Sequence, residues 1–75
     1  MARTTTYKEL DEVRAPWPLP EVGVGAGDRG VVVMEYENPE PAIEVEYADK
    51  EGVPKAFVVY SPDLTEIYVV HPEAP

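Results

Sequence analysis

The sequence predicts a small all-β domain, and three observations carry that reading. Residues Ile43-Glu44-Val45-Glu46-Tyr47 alternate cleanly, which sets Ile43, Val45 and Tyr47 on one face of a strand and two glutamates on the other. Branched and aromatic residues crowd three more short runs, Val31–Tyr36, Lys55–Tyr60 and Glu66–Val70, each followed by a proline within three residues. The only helix start signal is the capping-box spacing of Thr6-Tyr7-Lys8-Glu9, which can open no more than one or two turns.

Along the chain, a short N-terminal helical turn is expected at that capping box, then a first strand over Asp11 to Ala15. Pro16-Trp17-Pro18-Leu19-Pro20 removes a backbone donor at every second residue, so this stretch reads as an extended loop. Glycines at 23, 25, 27 and 30 lead into the second strand, with a bulge expected at Gly30. Asn38-Pro39-Glu40-Pro41 ends that strand, and Asp49-Lys50-Glu51-Gly52 makes a hairpin between the third and fourth. Ser61-Pro62-Asp63-Leu64 suits a turn or a single 3₁₀ turn before the last strand. This order is that of a five-stranded SH3-like small barrel, whose closure would remove exposed edges. Val32, Ile43, Val45, Phe57, Val59 and Val69 are its expected core.

A chain of 75 residues has room for one core, so a single domain over 1–75 is expected, with its folded part at about 7–71. It has no cysteine and one histidine, which excludes a disulfide and a thiolate or imidazole metal site. No cofactor is expected. The opening MARTTTYKEL has no apolar run, so neither a signal sequence nor a membrane span is read there, and a cytoplasmic location is expected. Fifteen acidic against six basic residues give a formal charge of −9. That balance repels phosphate backbones, so no nucleic acid partner is expected, while a basic protein partner is favoured. The same charge also keeps a small protein in solution.

Gly25-Ala26-Gly27-Asp28-Arg29-Gly30 matches G-x-G-x-x-G literally, but prolines precede it and a valine strand follows, where a dinucleotide site needs a strand before and a helix after. His71 has no serine or cysteine nucleophile near it in sequence, so no hydrolytic triad can be written, and no enzyme is expected. Trp17, on a loop stiffened by prolines, reads either as half of a peptide groove completed by Tyr36, Tyr60 and Tyr68, or as a lid folded back over one end of the core. Glu44 and Glu46 read as a solvated strand face that would steer a basic partner. The candidate partner-binding residues are therefore Trp17, Tyr36, Glu44, Glu46 and Tyr60.

Leu19-Pro20-Glu21, Ala26–Val32 and Ile43–Tyr47, with Glu9–Val13 before them and Ser61–Leu64 after, give the chain a resemblance to a family of small bacterial proteins known as domain-of-unknown-function family 4926. That resemblance covers roughly residues 7 to 70 and implies an SH3-like barrel with no known catalytic activity. Gly27-Asp28-Arg29-Gly30-Val31 is also similar to part of the KOW motif of ribosome- and RNA polymerase-associated barrels, without that motif's usual basic residues. Two functions are open at this point. One is an interaction module, of antitoxin or immunity type, for a basic protein; the other is a structural accessory subunit or self-associating barrel.

Overall fold

The computed structural model describes residues 7–72 and contains one antiparallel sheet of five strands. They are β1 (Glu12–Arg14), β2 (Arg29–Tyr36), β3 (Ala42–Ala48), β4 (Pro54–Tyr60) and β5 (Ile67–Pro72), and they lie side by side in chain order. The capping box rests on Thr6, outside the described residues; Lys8 to Asp11 form a turn closed by Asp11 N–H on the Lys8 carbonyl at 3.0 Å, with no helix.

Register divides the strands into two faces. On the inner face Val32 lies opposite Val45 and Val45 opposite Val58, Gly30 opposite Tyr47, and Ile43 opposite Tyr60. All of these are buried. Ala15, Leu19 and Val24 from the 15–28 loop join this cluster, and Trp17 and Val22 pack against it, so the loop is the second layer of the core. Its anchors are backbone bonds: Ala15 N–H donates to Asp28 O at 2.8 Å, and Leu19 and Val24 exchange a pair of bonds.

Gly30 is required by a close approach. A methyl group there would stand 2.6 Å from Val45 Cγ1 and 2.7 Å from Tyr47 Cε1, closer than side-chain carbons pack. The space lets the Tyr47 ring lie against β2, and its hydroxyl meets that of Tyr60 at 2.6 Å in the interior. The expected bulge falls elsewhere, between Val32 and Met34, and Gly30 sits in regular ladder.

Three expectations are corrected here. The sheet is not closed, because Ser61–Glu66 turns the chain back beside β4 and does not carry it across to β1. Ser61 N–H donates to Glu66 O at 2.9 Å, while Ser61 Oγ accepts from the N–H groups of Thr65 and Glu66, both at 3.0 Å. That turn puts Leu64 at φ 65°, and the 3₁₀ helix found among the described residues is at Pro20–Val22 instead. Finally, β4 buries Ala56, Val58 and Tyr60, leaving Phe57 and Val59 half-buried on the outer face and Val69 exposed. β4 is apolar on both faces, so its own sequence does not say which goes inward; pairing with β3 does.

Substituting Gly30→Ala should therefore cost about 1–3 kcal/mol, because the added methyl must displace Val45 or Tyr47. Urea titration of both proteins measures it. Alkali should also unfold the chain. Desolvation raises the Tyr47 and Tyr60 phenols above the ordinary value of 10.0, with the mutual hydrogen bond raising Tyr47 further. The folded state then holds protons that the unfolded state releases, so stability present below about pH 10 falls as pH rises above it. Melting temperatures read between pH 8 and 11 should drop in the upper part of that range, and drop less in Tyr47→Phe with Tyr60→Phe.

Candidate functional site

Because the inner face is filled, what remains for recognition is the outer face and the edges. Two cross-strand rows build the outer face. Glu12, Val31, Glu46, Phe57 and His71 lie opposite one another in turn, and Met34, Glu44, Val59 and Val69 form the next row. Such a face is ordinarily polar where an antiparallel sheet meets water. Here Val31, Met34, Tyr36, Tyr68 and Val69 are exposed, with Met34 at 43% and Val69 at 42%.

A groove of about 340 Å³ occupies one end of this face. Tyr36, Ala42, Val59, Tyr68 and Val69 line it, and Asn38-Pro39, joined by a cis bond, forms part of its rim with Glu40. Tyr68 reaches it because of an irregularity between β4 and β5: Val59 pairs with Val69 and Tyr60 with Ile67, so Tyr68 is the unpaired residue. Tyr36 Oη donates to Glu44 Oε1 at 2.8 Å, and this bond to the carboxylate is the main reason its phenol pKa is raised. Neither Glu44 nor Glu46 forms an ion pair among the described residues.

Four basic side chains, Arg14, Arg29, Lys50 and Lys55, collect toward the other end. Arg14 and Arg29 are cross-strand neighbours, and both approach Glu12, at 3.9 and 3.5 Å. Lys55 Nζ donates to the Gly23 carbonyl at 2.8 Å. Lys50, Lys55 and Arg29 line a second, polar hollow of about 400 Å³, together with Asp28 and Asp49. Both of those carboxylates are engaged with backbone N–H groups, Asp28 with Gly25 and Asp49 with Glu51 and Val53. No group of three or more metal-ligating side chains is present among the described residues.

The family profile described as Domain of unknown function (DUF4926) matches residues 9–64. The chain belongs to this family. The DUF4926 span takes in β1 to β4 and stops before β5. No curated protein and no solved structure shows a match. Among the described residues no helix is long and apolar enough to cross a membrane.

Of the five sequence candidates, the structure brings Tyr36, Glu44 and Glu46 together on the outer face. Tyr60 is fully buried and Trp17 lies on the inner side, its ring edge-on to Tyr60 at 6.3 Å between centroids. These two are neighbours of each other and not of the outer three. Sequence reading missed Met34 and Val69 as exposed and Val59 as half-buried on the outer face, since an apolar residue in a short strand signals core. The signal available was an excess: Phe57, Val59 and Val69 alternate with Ala56, Val58 and Val70, more apolar residues than one face can bury.

Proposed function

We propose that this chain is a protein-interaction module whose outer sheet face receives a basic partner. The observation that carries it is the adjacency of exposed Met34, Val69 and Tyr68 to Glu44 and Glu46, carboxylates without an ion-pair partner among the described residues. Apolar contact there supplies affinity, and the carboxylates supply steering and choice of sign. The module has no catalytic role, takes no cofactor and no nucleic acid, and acts in the cytoplasm; the formal charge of −9 and the scarcity of cysteine and histidine support these points. An antitoxin or immunity role fits a small acidic partner of a basic enzyme. A second reading, an accessory or self-associating subunit, draws on the same apolar residues but has no use for the carboxylates.

Salt separates the two. A fluorescent peptide of alternating lysine and valine should bind measurably at about 0.1 M salt, and at least about tenfold more weakly at about 1 M, where the screening length falls from roughly 10 to 3 Å. The matching glutamate and valine peptide should not bind. Glu44→Gln combined with Glu46→Gln should slow association about tenfold. Binding of both peptides alike, or no salt dependence, would contradict the proposal.

A further inference from the structure

An open sheet has two edges, and here they are treated differently. β1 is three residues long, carries Glu12 and Arg14, and is held by ion pairs within its own surroundings. Short length and charge are the usual means by which an edge is kept from pairing. β5 has neither. Ile67-Tyr68-Val69-Val70 is four uncharged residues in a row with no proline before Pro72, and among the described residues nothing pairs with its outward edge. Its outward N–H and C=O groups are a template for another strand.

The apolar groove lies beside that edge. Val69 and Tyr68 belong to β5, and Val59 to the strand next to it. A strand added to β5 would turn every second side chain toward the outer face, next to Tyr68 and Val69. The neighbouring charges are negative: Glu40, Glu66 and Asp63 act, after desolvation, to raise the Tyr68 phenol, so all three lie within electrostatic reach of it. A second copy of this chain would bring another net −9 against the first, which disfavours self-pairing.

We infer that β5 takes an extended segment of the partner as a sixth strand, a segment in which lysine or arginine alternates with branched aliphatic residues. This rests on the outer-face reading above and adds where and how the partner docks. The backbone edge supplies the pairing, the groove takes the aliphatic side chains, and the field of Glu40, Asp63 and Glu66 attracts a cationic segment to this edge.

The test uses the full chain, a lysine and valine peptide of about eight residues, and the same peptide N-methylated at alternate residues. N-methylation removes the donors a ladder needs but leaves side chains and charge in place. The unmodified peptide should bind and slow amide exchange at alternate residues of β5 by at least about tenfold, and the N-methylated peptide should bind at least about tenfold more weakly. Equal affinity of the two peptides would overturn strand addition and leave the outer-face proposal standing, whereas no binding by either would overturn both. A peptide-free dimer protected at the same β5 amides would overturn the choice of partner.

Discussion

Gly30 has no side chain, and the volume thus left over β2 is occupied by the ring of Tyr47 from the neighbouring strand. With the ring in that place its hydroxyl reaches inward to Tyr60 on β4, and the two oxygens, 2.6 Å apart, satisfy each other where no water is needed. Tyr60 in turn presents its ring to Trp17, which brings the proline loop down onto the sheet. One missing methyl group thus links three strands and the loop that serves as the second layer. In a domain with no disulfide and a small core, this contact adds to the backbone bonds and the buried Ala15, Leu19 and Val24 that hold the loop against the single sheet.

The same link decides which residues are left outside. Once Tyr47 and Tyr60 face inward, the period of two sends Glu46, Phe57 and Val59 outward, and β5 follows β4 by the tight turn at Ser61. The outer face is therefore apolar as a consequence of strands rich in valine on both sides, and acidic because β3 alternates. In a barrel the two edges would vanish; in this open sheet one is blunted by charge and the other, β5, is not. The proposed docking at β5 follows from that difference, whereas the outer-face reading follows from the exposed apolar residues beside Glu44 and Glu46.

Sequence reasoning located all five strands to within two residues and identified β3 as the clearest, because its alternation of Ile43, Val45 and Tyr47 with glutamates admits one arrangement. It set Tyr36 in a groove with Trp17 and Glu44 and Glu46 on a separate strand face, whereas the register puts all three on the outer face, with Tyr36 bonded to Glu44. It lost the burial of β4, where Ala56-Phe57-Val58-Val59 offers two equivalent apolar faces and only the partner strand chooses between them. Closure was expected from the order of elements, but whether the last strand returns beside its neighbour or crosses the sheet depends on hydrogen bonds of Ser61, which no periodicity encodes. Trp17 admitted two readings, half of a peptide groove or a lid over the core, and it packs against the core beside Tyr60; the two are 43 positions apart, a separation the local pattern does not reach.

The central claim is that the Tyr47 and Tyr60 hydroxyls act as one unit at the centre of the fold. A double-mutant cycle in urea tests it most directly, using Tyr47→Phe, Tyr60→Phe and the combination. Removing one hydroxyl strands the other in the interior, so each single variant is predicted to lose about 1–3 kcal/mol, and the double variant to lose less than the sum, by about 1 kcal/mol or more. Strict additivity of the two losses, or singles that lose nothing, would contradict the account.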